Sequence, residues 1–272
     1  DVCSSDLSST EDVAGAAINA VDTSFASGST SEIMGQFEDN SITTTSGDAR
    51  GGAVYLKDSV YTDIIGNFTN NSATASGTAR GGALYLTGID GDEIVISGSY
   101  NNNTATGGTN AMGGAIWANA DLNISAKNLD GQSDLLFSGN KVVANGAESS
   151  NAIYMYRAAS NTTERILKLT LESGTSITFD DGIDGNYRYN IRATGTSVAN
   201  GSGMGEVVNI NNTISNATIS ANKVILNLTG TDENRDIFNS AHASKYTALY
   251  AYNSEINLDN VFIKNAARSW KI

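Results

Sequence analysis

The chain has 272 residues, of which 40% are hydrophobic, and it contains 28 glycines and no proline. This composition excludes disorder from low hydrophobicity as the default, and the lack of proline is typical of a chain made mostly of hydrogen-bonded strands. The formal net charge of −13 argues against a nucleic-acid partner, because phosphate backbones are bound by basic surfaces. No apolar run approaches the roughly 18 residues that a membrane-spanning helix needs.

Residues 1–13 form a segment ahead of the first repeat. The first seven residues, DVCSSDL, resemble the translation of one frame of a common sequencing adapter, so we expect residues 1–7 to be an assembly artefact. The single cysteine, Cys3, lies within them, and no intramolecular disulfide is expected. On this hypothesis the chain is a fragment of a longer protein.

Two short elements recur in a constant order from residue 14 to residue 156, with a period of about 30–37 residues. The first is an aromatic residue followed three positions later by asparagine: FEDN (37–40), FTNN (68–71), YNNN (100–103) and FSGN (137–140). The second is centred on Gly-Gly-Ala: RGGAVYL (50–56), RGGALYL (80–86), MGGAIWA (112–118) and the variant SNAIYM (150–155). Between and around these elements the apolar residues alternate with polar ones, which favours strands over helices.

The repeat predicts an all-β fold, a right-handed parallel β-helix (solenoid) of about eight coils, because stacked coils place equivalent residues directly above one another. Like residues should then form ladders along the axis. The predicted structural ladders are the asparagines Asn40, Asn71, Asn103 and Asn140 and the core aromatics Phe37, Phe68, Tyr100 and Phe137. The paired glycines would let the backbone turn sharply into the next strand.

The strand after each Gly-Gly-Ala element can face the core in either of two ways. If the aliphatic residues, such as Val54 and Leu56, point inward, four aromatic residues form an outward column: Tyr55, Tyr85, Trp117 and Tyr154. The small residues Ala53 and Ala83 keep the opposite orientation open. The outward column is the candidate binding strip, on which sugar rings or a partner strand could lie, and padding of the sheet face is the alternative.

The chain divides into four segments by the clarity of its repeat. After the N-terminal segment, residues 14–156 are the regular coils, residues 157–246 are irregular coils with loops, and residues 247–272 are a further coil that is truncated. The stretch TDENRDIFNSAHASKY (231–246) is predicted to hold a short helix or an outward loop.

The paired GGA and F-x-x-N elements resemble the repeats of Pmp-type polymorphic outer-membrane proteins, which are autotransporter passengers of Gram-negative bacteria. Residues 14–156 carry the resemblance most clearly, and SITFDDGI (176–183) and 247–265 extend it. The resemblance implies a passenger at the cell surface, in the outer membrane or outside the cell, carried by a C-terminal barrel that this sequence does not contain. It also implies attachment to a host-cell surface protein or glycan, and a part in virulence.

Residues with catalytic potential are few, and no cofactor, metal site or catalytic set is predicted. His242, the single histidine, has no partner pattern around it. Acidic residues group in GIDGDE (Asp90, Asp92 and Glu93) and in FDDGIDGNYRY (Asp180, Asp181 and Asp184, with Arg188). Turn chemistry explains both groups best, with calcium binding second and catalysis last.

The sequence therefore predicts a non-enzymatic, adhesin-like passenger segment that acts as a β-helical rod. One alternative is a carbohydrate-active enzyme of the polysaccharide lyase or hydrolase kind. The other is an inert structural stalk. Fold alone does not decide between them.

Overall fold

The computed structural model describes residues 2–22, 31–58, 62–88, 93–127, 134–196, 206–230, 238–239, 247–261, 263–264 and 268–271. These residues form strands, turns and bends, with no helix among them. The expected helix or loop at 231–246 and His242 lie outside this part of the chain, apart from one two-residue strand at 238–239.

The strands are short, mostly two to six residues. The first eighteen are β1 Val2–Cys3, β2 Asp6–Ser9, β3 Val13–Ala14, β4 Ile18–Val21, β5 Ser31–Glu38, β6 Ser41–Thr44, β7 Ala49–Arg50, β8 Val54–Lys57, β9 Thr62–Thr69, β10 Ser72–Ala75, β11 Thr78–Arg80, β12 Leu84–Thr87, β13 Glu93–Ser97, β14 Tyr100–Asn101, β15 Thr104–Gly107, β16 Asn110–Met112, β17 Ile116–Asn119 and β18 Asp121–Ala126. The others are β19 Asp134–Ser138, β20 Lys141–Ala144, β21 Ala147–Ser150, β22 Ile153–Met155, β23 Arg165–Leu171, β24 Ser176–Phe179, β25 Ile183–Gly185, β26 Tyr189–Thr194, β27 Val207–Ile210, β28 Ile214–Ser215, β29 Ala217–Asn222, β30 Ile225–Thr229, β31 Phe238–Asn239, β32 Thr247–Tyr252, β33 Glu255–Asp259, β34 Ile263–Lys264 and β35 Arg268–Lys271.

These strands form four sheets of very unequal size. The largest has sixteen strands and runs β33-β30-β27-β24-β19-β14-β9-β13-β18-β23-β26-β29-β32-β35, with β5 and β1 attached at β9. The second has nine strands, in the order β34-β31-β28-β25-β22-β17-β12-β8-β4. A six-stranded sheet runs β2-β6-β10-β15-β20-β21, and a four-stranded sheet runs β16-β11-β7-β3.

The pairing is parallel and joins residues about one repeat apart. Phe37 pairs with Phe68, and Tyr85 pairs with Tyr55 on one side and Trp117 on the other. One pair in the described chain departs from this rule, because β20 and β21 form an antiparallel hairpin. Parallel strands with the same alternation of apolar and polar residues bury one face in register, and this explains why the sequence repeats.

Two cores result from this alternation. The larger fills the space between the sixteen-stranded and nine-stranded sheets and contains fully buried residues such as Leu84, Ile96 and Leu169. The smaller, between the six-stranded and four-stranded sheets, is built mainly of alanine around Ile42 and Val142. We call these two thin sheets together the wedge.

The prediction of a single rod of about eight equivalent coils is wrong. The described chain builds several mostly parallel sheets of different extents, not one uniform stack of coils. The four-stranded sheet ends at β16 and the six-stranded sheet ends at the β20–β21 hairpin, so the later repeats do not extend the wedge. The largest sheet also divides after β9, where Gly98, with a φ of +117°, separates β13 from β14.

The turns before the ladder asparagines use left-handed backbone one residue ahead of each asparagine. Asp39, Asn70 and Asn102 adopt φ values of 56–57°, and Gly139 adopts 71°, each one residue before a ladder asparagine. Asparagine, aspartate and glycine are the residues that tolerate this conformation best. The middle positions of FEDN, FTNN, YNNN and FSGN therefore make the turn, and the last position is free to make hydrogen bonds.

Candidate binding surface

The aromatic column lies on the nine-stranded sheet, where parallel pairing aligns Tyr55, Tyr85, Trp117 and Tyr154. The rings of Tyr55 and Tyr85 stack with centroids 4.9 Å apart, and those of Tyr85 and Trp117 stack at 4.5 Å. The next ring on the stack belongs to Tyr156, 5.0 Å from Trp117, although Tyr154 is the backbone partner. The sequence thus identified three of the four stacked rings.

Stacking determines which parts of the aromatic rings a ligand can contact. Each inner ring has a neighbour on both faces, so the faces of Tyr85 and Trp117 are covered by other rings. Trp117 is only 4% exposed, and its indole Nε1 has no hydrogen-bond partner among the described residues. Sugar rings therefore cannot lie flat along the column as the sequence suggested. The column instead presents ring edges, and Tyr55, Tyr85 and Tyr156 are only partly buried.

The aliphatic neighbours of these rings point inward. Val54, Leu84, Ile116 and Ile153 are fully buried. The alanines Ala53, Ala83, Ala115 and Ala152 are fully buried as well, because the Gly-Gly-Ala segments pack between adjacent strands. The small residues that left the orientation open are thus explained by close packing before the strand begins.

An ion-pair network lies beside the tyrosines, on the outer face of the four-stranded sheet. Arg50 contacts Asp12 and Asp48, each at 2.9 Å, and Arg80 contacts Asp48 at 2.8 Å. Burial raises the pKa of Tyr85, and Tyr55 adds to this, while Arg50 and Arg80 act in the opposite direction. The two arginines therefore lie close enough to the Tyr85 hydroxyl to influence its charge, although each is already paired with a carboxylate.

At the other end the column continues into an acidic residue. Asp184 pairs in register with Tyr154. Burial, with a contribution from Asp184, raises the pKa of Tyr154 to about 12. Burial also raises the pKa of Asp184, whose carboxylate accepts a hydrogen bond from the backbone N–H of Gly185 at 2.7 Å.

The interior side of the same repeats contains the asparagine ladder. The Nδ2 of Asn40 donates to Asn71 Oδ1 at 2.8 Å, Asn71 donates to Asn103 at 2.9 Å, and Asn103 donates to Asn140 at 2.9 Å. The amide oxygens of Asn71, Asn103 and Asn140 each also accept from the backbone N–H of the preceding asparagine. All four side chains are at most 1% exposed, so the ladder satisfies polar groups that would otherwise be costly to bury.

Five core aromatics stack beneath this ladder. Phe37, Phe68, Tyr100 and Phe137 lie 4.6–4.9 Å apart between ring centroids, and Phe179 adds a fifth ring at 4.7 Å from Phe137. The sequence missed Phe179, because the Phe-to-Asn spacing of three shortens to two in FDD (179–181). The hydroxyl of Tyr100 is buried and has no partner within the described chain.

The asparagine ladder ends on a carboxylate. Asp181 Oδ2 accepts hydrogen bonds from the backbone N–H and the Nδ2 of Asn140, both at 2.8 Å, and Asp181 Oδ1 accepts from the Ser150 hydroxyl at 2.9 Å. Asp181 is 4% exposed. Burial raises its pKa even though the three hydrogen bonds oppose the shift, and the charge of Asp180 adds to it.

Replacing Asp181 by asparagine should therefore stabilise the protein at neutral pH. A raised carboxyl pKa in the folded state gives stability that is complete below the unfolded value of 3.8 and is lost as the pH rises through the folded pKa. The Asp181→Asn variant keeps the acceptor for Asn140 and removes the charge, so we expect the free energy of unfolding to rise at pH 7. Below pH 4 the gain should vanish.

Urea denaturation from pH 3 to pH 8 measures this difference. The comparison variant Ser150→Ala keeps the charge and removes one of its hydrogen bonds, so its effect should have the opposite sign and be largest at neutral pH. A loss of stability at pH 7 in the Asp181→Asn variant would contradict the view that the charge of Asp181 at the end of the ladder is costly to bury.

Among the residues that the structure describes, the acidic side chains considered from the sequence do not converge. Asp180 accepts from Asn211 Nδ2 at 2.9 Å, and Arg188 pairs with Glu164 instead of an aspartate of its own turn. Glu93 pairs with Lys168, and Asp90 and Asp92 lie outside the described residues. No group of three or more histidine, cysteine, aspartate or glutamate side chains that could hold a metal ion is found among the residues described.

Comparison of the chain with known proteins finds no similar protein. No family model matches it, and neither a curated protein nor a solved structure is similar to it at a significant level. Within the described part of the chain no helix has the length and apolar character needed to cross a membrane.

Proposed function

We propose that the chain is a non-catalytic, adhesin-like segment of a secreted or surface-exposed protein, and that the edge of the aromatic column is its contact surface. One observation carries the proposal. Four stacked rings form a rigid row that leaves phenol edges on the outside of the nine-stranded sheet. Tyrosine supplies a large amphipathic contact at a low cost in conformational entropy, and these rings are already ordered before a ligand binds.

The motifs of the sequence support the passenger part of the proposal. The ordered GGA and F-x-x-N elements resemble Pmp-type repeats, and that family implies an outer-membrane or extracellular location in a Gram-negative bacterium and a host-cell protein or glycan as partner. The negative charge of the chain, −13, is compatible with such a partner and unfavourable for nucleic acid.

The proposal can be tested by removing hydroxyls and keeping the rings. In the variant Tyr55→Phe/Tyr85→Phe/Tyr156→Phe the stack is preserved, so folding should be unaffected. Binding to epithelial cells and to immobilised glycans should weaken about tenfold, which corresponds to about 1.4 kcal/mol. Flow cytometry and biolayer interferometry measure the two kinds of binding.

The variant Tyr100→Phe is the matched control, because it removes a hydroxyl from the interior stack and leaves the surface unchanged. Its binding should equal that of the original protein. Undiminished binding by the folded triple variant would exclude the column as the contact surface. A complete lack of binding by the original protein would favour the inert stalk.

A further inference from the structure

The outer face of the six-stranded sheet carries a regular array of hydroxyl groups. Four of its strands read DLSS, SITT, SATA and TATG. In the last three the first and third residues point outward and the second and fourth are buried, whereas in DLSS the second residue, Leu7, is exposed as well. Parallel pairing without any shift aligns these residues into two columns. One column begins with Asp6 and continues through Ser41, Ser72 and Thr104, and the other contains Ser8, Thr43, Thr74 and Thr106.

The array is periodic in two directions. Neighbouring strands of a sheet lie about 4.8 Å apart, and residues two positions apart along a strand are about 6.6 Å apart. The intervening residues Ile42, Ala73 and Ala105 are fully buried in the smaller core and hold the strands in place. Threonine is stiff at χ1, so Thr43, Thr74 and Thr106 hold their hydroxyls and methyl groups in a fixed order.

Most of these hydroxyls are not used by the protein. The Ser41 hydroxyl donates to Asp6. Within the described residues, the hydroxyls of the other six have no hydrogen-bond partner, unlike the side-chain amides of the buried asparagine ladder. Ser8 and Thr43 are exposed and the other four are half-buried, so all six side chains have some access to solvent.

The chemistry of the array limits what it can bind. Between Asp6, which heads the first column, and Lys141, which follows Thr104 in it, the columns contain no charge and no aromatic ring, although the chain as a whole has a net charge of −13. On the fifth strand, β20, the next positions are Lys141, which pairs with Glu148, and Val143. A neutral, rigid and periodic occupant matches this face in charge. A dissolved glycan does not fit well, because hydroxyl contacts alone replace equally good contacts with water and no ring is present to stack on a sugar.

We propose that this hydroxyl face adsorbs to the surface of ice, by ordering its first layer of water at the spacing of the columns. Water bound by two rows of fixed hydroxyls has the same repeating order along the sheet as the hydroxyls themselves. The proposal is independent of the aromatic column, which lies on another sheet, so either can fail without the other.

The experiment uses the whole chain with ice as the probe. A polycrystalline ice shell is grown slowly from a dilute solution, and the protein content of the ice and of the remaining liquid is measured, together with thermal hysteresis by nanolitre osmometry. The original protein should be enriched in the ice and should halt crystal growth below the melting point. The variant Thr74→Lys/Thr106→Lys places two long charged side chains within the array and should lose both effects.

The matched control is Thr194→Lys, an exposed threonine on β26 of the sixteen-stranded sheet. It should behave like the original protein, and circular dichroism should give the same spectrum for all three proteins. Exclusion of the original protein from ice overturns the proposal, and so does full activity of the folded double variant. A pull-down on cellulose and chitin beads separates the remaining possibility, since retention on the beads without enrichment in ice would assign the face to polysaccharide.

Discussion

Replacing Gly82 by alanine is expected to prevent stable folding. A Cβ at this position would lie 2.0 Å from the carbonyl oxygen of Gly114 and 2.6 Å from backbone atoms of Thr104. Both contacts are with backbone, one in the bend between β16 and β17 and one on β15, so no side chain can move aside. Overpacking a core usually costs about 1–3 kcal/mol, and backbone clashes with two separate segments should exceed that range. Urea denaturation and circular dichroism measure the loss.

Gly174→Ala provides the control for glycine chemistry alone. Gly174 has a φ of +79°, and nothing lies within 4 Å of its added Cβ, so only the left-handed backbone is penalised. We expect a cost of about 1–2 kcal/mol there. Equal effects of the two substitutions would contradict the view that close packing between strands, and not turn conformation, fixes the second glycine of RGGA.

Replacing Asn103 by alanine should have the second-largest effect. Its side chain accepts from the backbone N–H and the Nδ2 of Asn71, and its own Nδ2 donates to Asn140 Oδ1 and to the Phe68 carbonyl. Truncation leaves two buried donors and two acceptors without this partner. A buried polar group without a partner costs about 1–3 kcal/mol, so a total loss of about 3–5 kcal/mol is expected.

Asn257→Ala tests whether burial sets this cost. Asn257 belongs to a second amide ladder, donating to Asn227 at 3.0 Å, but it is exposed. Water can replace its contacts, so the loss should stay below about 0.5 kcal/mol. If the two alanine variants unfold at the same urea concentration, burial of the first ladder does not increase its contribution to stability.

Much of the interior could be predicted from the sequence, because parallel pairing places like residues beside one another. The spacing of the F-x-x-N element identified four stacked aromatics and four ladder asparagines that the structure brings into contact. The end of that ladder was not predictable by the same rule. Asp181 continues it with a different residue and a shorter spacing from its aromatic, so pattern matching stopped one repeat early.

The number of strands in each sheet could not be predicted from the sequence pattern either. The repeat predicts which residues face inward but contains no signal for where a sheet ends, since the later segments still alternate. The antiparallel hairpin of Lys141–Ala144 and Ala147–Ser150 depends on a turn at Asn145 and Gly146, and both have positive φ. The sequence also could not show that Tyr156, and not Tyr154, stacks on Trp117. The two tyrosines are two positions apart, so their side chains leave the backbone on the same face.

The hairpin has a consequence for how this protein can change in length. A duplication of one repeat before residue 141 adds a strand to each sheet, including the wedge, and lengthens the hydroxyl array by one row. The same duplication after residue 150 lengthens the two larger sheets alone, because β21 turns the six-stranded sheet back on itself. Repeats added before the hairpin therefore lengthen the protein and also enlarge its hydroxyl face. Repeats added after the hairpin lengthen the protein and leave that face unchanged.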